Sequence, residues 1–526
     1  MTRNLGIRYR RTDRLTLALA LSAALGLGGC FGNGGGDSDA TVTPPPAPTD
    51  TTTPTDGGRD DDATVTPPPA STDTTAPTIS VTSHTDGQTI TGERTLTLTW
   101  TVMDDTAVAS SELTLNGTPV TLSSSNGHYS ASLTLADNAN TITITASDAA
   151  GNTATRSLTL TYPFLAFANG QAATVVIGQR DFDSSSYNQG GREDGNTISY
   201  PYGNPTVYND VLYLPDYGNS RVLGFLSVPT VNNAFADFVL GQPDFTTIAG
   251  GASSDGSFAD QMHGPQTAVA ADGKLFVTDY LNSRILIWNS APTGPGPADV
   301  VVGQPDVSDT AFRCTRAGLN GPESVHAVDG KLIVADTENH RVLIWNTIPT
   351  KHGAPADLVL GQADFTRCDN NRGGAPAANT LYSPSDVWSD GTRLIVADSD
   401  NHRVLIWNSF PTANGQPADV VLGQAGMTTG AFGTSARDLN RPYMLNSNGN
   451  QLFVVDHANH RVLIWDRIPT ASYTPADRVL GQPNFNSNAS AAGAAGMNQP
   501  TGVHVFDGKL SVADGLNARY LIYEAT

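Results

Sequence analysis

The residues best suited to chemistry stand at fixed distances after a recurring proline. Four residues after it, two copies carry a histidine, His326 in "PESVH" and His504 in "PTGVH", and a third carries Asn446. Imidazole, carboxylate and amide groups are the side chains from which metal sites and acid–base sites are built. Closer to the proline of their own copies stand three further candidates: Glu323, Asp386 and Tyr443. Their joint action depends on the elements that position them.

Two anchors recur six times between residues 164 and 526, at intervals of about sixty residues. One is the sequence Asp-x-x-Asn-x-Arg, and the other is a Gly-Gln pair that ends an apolar run. The Asp and Arg of the first anchor suit bidentate ion pairs within or between repeats, so we interpret them as structural. They are Asp216 and Arg221, Asp279 and Arg284, Asp336 and Arg341, Asp398 and Arg403, Asp456 and Arg461, and Asp514 and Arg519.

Each repeat has the pattern of a four-stranded antiparallel sheet. The third copy shows it as "SVHAV", "KLIVAD", "RVLIWN" and "ADLVLGQ". Both alternating sets of side chains in "RVLIW" are apolar, so each sheet must be covered on both faces, as in sheets arranged radially around an axis. A Gly-Gln strand, "ATVVIGQ", precedes the first Asp anchor, and none follows the last. We therefore predict an all-β, six-bladed β-propeller over residues 164–526, closed by that early strand.

The segments "VADTENHRVLIW", "VADSDNHRVLIW" and "VVDHANHRVLIW" resemble NHL repeats, the units of six-bladed propellers. The array departs from the usual unit through longer connections after Gly-Gln, which the strand order places on the face where the first strands begin. We call this face the mouth, and long loops around it predict a binding surface. The resemblance also implies an alternative, because some NHL-like propellers are lyases with channel histidines around a metal, and related lactonases hold a divalent ion.

The first strand of each sheet is innermost, so the proline-linked candidates face the central channel or its mouth. His326 and His504 belong to the third and sixth sheets, on opposite sides of the axis, which is a poor arrangement for two shared ligands. His340, His402 and His460 occupy one position in successive repeats, on a circle too wide for metal bonds of about 2 Å. We predict that these three are turn residues, that no cofactor is bound, and that a divalent metal belongs only to the enzyme alternative.

Two cysteines, Cys314 and Cys368, each follow an arginine in the loops after Gly-Gln of adjacent repeats. Disulfides persist in oxidising compartments, so a bridge between the two loops is favoured over two free thiols. A zinc site would need further ligands that the sequence does not supply. The sequence also lacks a phosphate-binding glycine loop, a Gly-x-Ser-x-Gly elbow and an HExxH helix.

The amino-terminal part of the chain divides into three further segments. Residues 1–29 combine a basic leader with a short apolar run, typical of a secretory signal, and "LGGC" resembles a bacterial lipobox in which Cys30 is the acylated first residue. Residues 30–76, rich in Thr, Pro, Gly and Asp, predict a disordered tether. Residues 77–162 contain about seven alternating strands, and "TASDAAGNTAT" resembles bacterial immunoglobulin-like domains, so we predict a small β-sandwich.

The acidic composition limits the partners of the chain. With 29 Lys and Arg against 50 Asp and Glu, the formal net charge of −21 disfavours nucleic acid and anionic lipid surfaces. We expect an exported, membrane-anchored lipoprotein of the outer membrane, cell surface or periplasm, which touches the membrane only through its lipid. We expect it to be a binding or scaffold protein that engages a protein, peptide or glycan. The alternative is a metal-dependent lyase or lactonase with its site in the channel.

Overall fold

The computed structural model describes residues 73–90, 94–248 and 260–526. The predicted signal segment 1–29, Cys30 and nearly all of the 30–76 tether lie outside the described residues. Strands and short 3₁₀ turns make up the regular structure of the described part. Within that part, no helix is both long and apolar enough to cross a membrane.

Two sheets form a sandwich at the start of the described chain. Their orders are β1-β3-β7-β6 and β2-β9-β8-β4-β5. The strands are β1 (Thr78–Val81), β2 (Gln88–Thr89), β3 (Thr95–Met103), β4 (Val108–Leu115), β5 (Thr118–Pro119), β6 (Ser123–Ser125), β7 (His128–Thr134), β8 (Asn138–Asp148) and β9 (Thr153–Tyr162). Alternate residues of β3 and β8 are buried, and the core includes Leu98, Trp100, Ile142 and Ile144. Burial of every second side chain gives each sheet one apolar face, and the two apolar faces pack against each other.

The rest of the described chain forms six further sheets of four strands each, and its first strand is β10 (Val175–Ile177). Sheets 1 to 3 contain β11 (Thr206–Tyr208), β12 (Val211–Asp216), β13 (Arg221–Phe225) and β14 (Phe238–Leu240); β15 (Pro265–Ala271), β16 (Lys274–Asp279), β17 (Arg284–Trp288) and β18 (Val300–Val302); and β19 (Pro322–Val328), β20 (Lys331–Asp336), β21 (Arg341–Trp345) and β22 (Leu358–Leu360). Sheets 4 to 6 contain β23 (Pro384–Ser389), β24 (Leu394–Asp398), β25 (Arg403–Trp407) and β26 (Val420–Leu422); β27 (Pro442–Ser447), β28 (Leu452–Asp456), β29 (Arg461–Trp465) and β30 (Arg478–Leu480); and β31 (Pro500–Phe506), β32 (Lys509–Asp514), β33 (Arg519–Glu524) and the early strand β10.

Apolar side chains on both faces hold each of these sheets between two neighbours. Every residue of β21 is buried, and the same holds for β17, β25 and β29. One core cluster joins Phe276 and Ile285 of sheet 2 to Val334 and Trp345 of sheet 3. A sheet with two apolar faces has no wet side, so radial packing is the arrangement that removes both faces from water.

The early strand closes the ring of sheets. β10 pairs antiparallel with β33 over three residues and supplies the outer strand of sheet 6. On the inner side, the Thr501 hydroxyl donates to the carbonyl of Pro201 at 2.9 Å, and the Val503 N–H donates to Asn204 Oδ1 at 2.8 Å. The predicted fold class, an all-β chain with a six-bladed β-propeller preceded by a small immunoglobulin-like sandwich, is confirmed.

The Asp and Arg anchors flank the tight turn between the second and third strands of each sheet. In sheet 3, Arg341 Nε donates to Asp336 Oδ2 at 2.7 Å, and both side chains are fully buried. Asp336 Oδ1 accepts the Asn320 N–H, while Arg341 Nη2 donates to the carbonyls of Thr315 and Gly318. The pair therefore joins a sheet to the loop that precedes it on the mouth side.

The same contact corrects one expectation about the anchors. Each ion pair lies within one sheet and uses a single guanidinium nitrogen, so the pairs are not bidentate, because the remaining nitrogens bind backbone carbonyls. The six pairs are Asp216–Arg221, Asp279–Arg284, Asp336–Arg341, Asp398–Arg403, Asp456–Arg461 and Asp514–Arg519.

Candidate functional site

Side chains of all six sheets surround a cavity on the propeller axis. The cavity has a volume of about 190 Å³ and lies toward the ends of the first strands, away from the mouth. Sheet 1 contributes Thr206. The other five sheets each contribute the residue four places after the recurring proline: Val269, His326, Trp388, Asn446 and His504.

The two histidines at this cavity are neutral and already hydrogen-bonded. His326 Nε2 lies 2.9 Å from the carbonyl of Ser389, so this nitrogen carries the proton. His504 Nε2 accepts the N–H of Val207 at 3.1 Å, so its proton is on Nδ1. Burial lowers the pKa of each imidazole to about 4, because an apolar surrounding disfavours the charged form. Neither ring is poised to exchange protons near neutral pH.

The channel residues do not fit a divalent metal. A shared metal needs ligand atoms that converge on one point, with bonds of about 2 Å. Among the residues that the structure describes, three ligand atoms from His, Cys, Asp or Glu come within 4.8 Å of one another only at Asp73, Asp104 and Asp148, in the sandwich. His326 and His504 each use Nε2 for a backbone hydrogen bond instead. Among the described channel residues, three His, Cys, Asp or Glu ligand atoms therefore do not converge on one point.

Asp386 closes the channel above the cavity. Its Oδ2 accepts Asn204 Nδ2 at 3.0 Å and the Leu445 N–H at 2.6 Å, and its Oδ1 accepts the Ser324 hydroxyl. These donors come from sheets 1, 5 and 3 respectively, so one carboxyl ties together sheets on both sides of the axis. Burial raises the pKa of Asp386 to about 7. All these contacts are internal, which makes Asp386 a structural hub of the channel.

Glu323 lies nearer the mouth and is less completely bonded. Its Oε1 accepts the hydroxyl of Tyr443 at 2.9 Å, and that hydroxyl also contacts the hydroxyl of Tyr202. Its Oε2 is buried and has no hydrogen-bond partner among the described residues, although the residue is only 6% exposed. Burial raises the pKa of Glu323 to about 8, while the Tyr443 hydrogen bond opposes the rise. This is the candidate whose bonding is left incomplete.

A continuous cluster of tyrosines surrounds Glu323 on one half of the mouth. Neighbouring rings have centroids 5.1 to 6.5 Å apart, in edge-to-face or tilted contacts. We call them the mouth tyrosines: Tyr187, Tyr200, Tyr202, Tyr217, Tyr280 and Tyr443. Tyr443 is buried, Tyr187 is 48% exposed, and the other four are partly exposed. The mouth is therefore aromatic on the side of sheets 1 and 2.

Sequence reasoning found Glu323 and Tyr443 but missed most of this cluster. Tyr217 and Tyr280 stand directly after the anchor aspartates Asp216 and Asp279. The four later repeats have small or polar residues at that position, and three of them bond the carbonyl of the next sheet's leading proline. The four residues are Thr337, Ser399, His457 and Gly515. Variation at the position after the anchor Asp was therefore the sequence signal that could have indicated the tyrosine cluster.

Comparison with known families is consistent with this architecture. Residues 77–164 match the family model of glucodextranase domain B, and residues 319–345 match that of the NHL repeat. The matched NHL segment contains the turn and the Asp–Arg anchor of sheet 3. The repeat array is a β-propeller, one segment of which matches the NHL repeat. A search of the curated proteins found no match.

Several solved structures are similar to the chain at low identity. One is a putative phosphatase from Bacteroides thetaiotaomicron, 14% identical, with a TM-score of 0.36, covering 85% of this chain and 97% of that one. Another is the PQQ-bound aldose sugar dehydrogenase from Streptomyces coelicolor, 14% identical, with a TM-score of 0.36, covering 64% and 97%. A third is a putative 6-phosphogluconolactonase from Bacteroides fragilis, 12% identical, with a TM-score of 0.31, covering 69% and 92%. Likeness at this level carries no argument about function.

The repeated histidines of the propeller are turn residues that fasten neighbouring sheets. His340, His402 and His460 adopt the left-handed conformation, with φ from 52° to 54°. In each case Nδ1 accepts a backbone N–H of the following sheet, at 2.9 to 3.1 Å. Burial lowers the pKa of all three imidazoles. Their repetition follows from the packing of the propeller.

A disulfide joins two of the long loops of the propeller. Cys314 and Cys368 are bonded, and their Cα atoms are 6.4 Å apart. Cys314 precedes the first strand of sheet 3, and Cys368 precedes that of sheet 4. The bond therefore links the loops of two adjacent sheets on the mouth side.

We expect Glu323→Gln to change how the stability of the propeller depends on pH. The folded pKa of about 8 lies above the ordinary value of 4.5, so Glu323 favours the folded state fully below pH 4.5. That contribution is lost as the pH rises through 8, because the buried carboxyl must then ionise. Relative to Glu323→Gln, the wild type should therefore lose stability, on the order of a few kcal/mol, between pH 5 and pH 9.

Urea unfolding of both proteins at pH 5, 7 and 9 measures this difference. The matched control is Asp507→Asn, which removes an exposed carboxyl on the opposite face, away from Glu323. Its unfolding curves should stay parallel to those of the wild type as the pH changes. Parallel behaviour of Glu323→Gln as well would contradict the burial of a protonated carboxyl.

Proposed function

We propose that the protein is an exported, lipid-anchored binding module. It is held to the membrane through Cys30 and engages a protein, peptide or glycan at the mouth of its propeller. The amino-terminal signal and lipobox support the location, and the tether and the sandwich would carry the propeller away from the bilayer. One observation carries the function: the mouth tyrosines form a continuous aromatic surface above the incompletely bonded carboxyl of Glu323.

Aromatic surfaces of this kind favour binding over catalysis here. Tyrosine supplies a large contact area at low cost in side-chain entropy and adds a hydroxyl for hydrogen bonding, so it is enriched at binding hot spots. The enzyme alternative would place its site in the channel, where His326, His504 and Asp386 already have internal hydrogen-bond partners. The mouth, in contrast, presents partly exposed side chains, such as those of Tyr217 and Tyr280, that belong to no core cluster of the described chain.

We expect the double substitution Tyr217→Ala/Tyr280→Ala to weaken ligand binding at least tenfold. Each ring presents part of its face at the mouth, and removal of a hot-spot aromatic contact typically costs about 2 kcal/mol or more, which exceeds the roughly 1.4 kcal/mol of a tenfold change. The measurement is capture of labelled full-length protein, purified in detergent, on arrays of peptides and glycans, followed by titration of the ligands found.

The matched control is Tyr208→Ala, which removes a partly exposed tyrosine from the opposite face, at the end of β11. Its binding should equal that of the wild type. If the double variant binds every array ligand as well as the wild type does, the mouth is not the binding surface. If the control loses binding equally, a nonspecific effect explains the loss.

A further inference from the structure

Glu323 has one carboxyl oxygen that the protein itself does not satisfy. Tyr443 donates to Oε1, whereas Oε2 has no partner in the described part of the chain. Leaving a buried polar atom unbonded costs roughly 1–3 kcal/mol, and more when it is charged. Native proteins keep few such atoms, and a functional role is one explanation for an atom that stays unbonded. The free oxygen therefore marks a place where an external donor can bind.

Three mouth tyrosines interact electrostatically with this carboxyl. Burial is the main cause of the raised pKa of Tyr202, Tyr217 and Tyr280, and the negative charge of Glu323 adds to it in each case. The face of a tyrosine ring carries a negative quadrupole and attracts cations placed over it within about 6 Å. A carboxyl beneath several such rings is an environment that favours a positively charged group over a neutral one.

Acidic side chains outnumber basic ones around the site. Glu338 lies beside Tyr280, whose hydroxyl donates to Glu338 Oε1 at 3.1 Å. Arg441 is the cation of this region, and its Nε lies 3.3 Å from Asp400 Oδ1, so its charge is already balanced. A cationic ligand would complement this half of the mouth, and an anionic ligand would be repelled from it.

We propose that the mouth binds a primary ammonium group, that of a lysine side chain in a peptide ligand, with Glu323 as its counter-charge and the mouth tyrosines as its walls. This inference rests on the proposed function, because it names the chemistry that the mouth selects. An ammonium has three donors, one of which can bond Glu323 Oε2 while its alkyl chain lies along the rings.

Glycines allow two of the mouth tyrosines to pack closely against the backbone at the mouth. A Cβ atom at Gly321 would come within 2.9 Å of the Tyr280 ring, and one at Gly264 within 2.7 Å of the Tyr217 ring. Both glycines have positive φ, which other residues rarely adopt. Tyr217 and Tyr280 contact each other at 6.5 Å between centroids, and both are partly exposed. The two rings therefore pack directly against the backbone at the mouth, where part of each remains exposed.

Ammonium binding should release a proton from Glu323. With a pKa of about 8, the carboxyl is largely protonated at pH 7 in the free protein, whereas a bound cation favours its ionised form. Release should approach one proton per ligand at pH 7 and vanish above pH 9, where the carboxyl is already ionised. The other titratable and charged groups around it are Tyr202, Tyr217, Tyr280, Tyr443, Glu338, Asp400 and Arg441.

Isothermal titration calorimetry tests the proposal on the full-length protein in detergent. The probe is Ac-Gly-Lys-Gly-NH2, titrated at pH 7 in two buffers with different ionisation enthalpies so that proton release is measured directly. We expect saturable binding with proton release. We expect Glu323→Gln to bind at least tenfold more weakly, with no proton release. The matched control, Asp507→Asn, replaces an exposed carboxyl at a turn on the opposite face and should behave as the wild type does.

Three further probes separate the sources of the charge. Ac-Gly-Gln-Gly-NH2 lacks a cation, Gly-Gly-Gly-NH2 offers only an amino terminus, and n-butylammonium offers the amine without a peptide. Equal binding of the lysine and glutamine peptides, or unchanged affinity in Glu323→Gln, overturns the proposal. Binding of the amino-terminal peptide alone overturns the lysine assignment.

The outcome also distinguishes this inference from the proposed function. If array ligands depend on Tyr217 and Tyr280 but no ammonium probe binds, the mouth is a binding surface and the ammonium inference is wrong. If neither array ligands nor ammonium probes respond to changes at the mouth, both are wrong.

Discussion

Replacing Arg403 with alanine is expected to lower the free energy of unfolding by about 3–5 kcal/mol. Arg403 Nε donates to Asp398 Oδ2 at 2.7 Å, and neither side chain is exposed. The variant leaves the Asp398 carboxylate buried without its cation. It also removes the donor to the carbonyls of Ala377 and Thr380, in the loop that enters sheet 4. A buried charge without its partner is among the most costly single changes in a protein.

Urea unfolding followed by tryptophan fluorescence measures this loss, and two companions sharpen the result. Arg367→Ala removes an arginine that is 68% exposed and 3.5 Å from Asp364, so its cost should be below about 1 kcal/mol. Arg403→Lys keeps the positive charge but loses the planar set of guanidinium donors, so its decrease in the free energy of unfolding should be intermediate. If all three variants unfold at the same urea concentration, the buried pairs do not hold the loops to the sheets.

The overall fold could be predicted because the sequence patterns that indicate it are local and recur a countable number of times along the chain. The alternation within the strands and the "RVLIW" segments, which are apolar on both faces, predict sheets that are arranged radially. The sequence has one extra strand at its start and lacks one at its end, which predicts that β10 closes the ring. The periodicity of the repeats also set the register of the first strands. This is why Val269, His326, Trp388, Asn446 and His504 could be assigned to one level of the channel, where they surround a single cavity.

The same count did not identify the channel residues of sheet 1, because the spacing between its leading proline and its anchor Asp differs by one residue. Fourteen residues separate the leading proline from the anchor Asp in sheets 2 to 6, as from Pro322 to Asp336, but fifteen separate Pro201 from Asp216. The extra residue hid Asn204, which bonds Asp386, and Tyr202, which contacts Tyr443. Pattern reasoning fails at such positions because one insertion shifts every later residue out of register.

The depth and bonding of Glu323 could not be obtained from the sequence. Glu323 and its partner Tyr443 are 120 residues apart, and their contact exists only because the ring is closed. The tyrosines that cover the carboxyl come from turn positions that vary between repeats, so no periodic signal marks them. The fold is repetitive, whereas the candidate site is built from the positions at which the repeats differ.

Substituting Val176 with aspartate is expected to open the ring, at a cost of at least about 4 kcal/mol. Val176 is fully buried in β10 and packs in the core cluster that contains Val512 and Leu521. A carboxylate there has no partner, so β10 should detach from β33 and leave the outer edge of sheet 6 unpaired. An unpaired edge recruits other chains, so we also expect aggregation on mild heating. Ala172→Asp, at an exposed position just before β10, is the matched control and should cost less than about 1 kcal/mol.

Hydrogen exchange separates ring opening from general destabilisation. The amides of β33 should exchange much faster in Val176→Asp than in the wild type, whereas those of β21, on the far side of the ring, should change far less. Local opening has this signature because only one cooperative unit loses its protection. Uniformly faster exchange in β21 and β33 would mean that the ring unfolds as a whole. Unchanged exchange in β33 would mean that β10 does not close the ring.

Closure by β10 also brings sheets 1 and 6 together, which places Tyr202 against Tyr443 above Glu323. A ring held open by Val176→Asp should therefore lose binding at the mouth, although the substitution lies in the outermost strand.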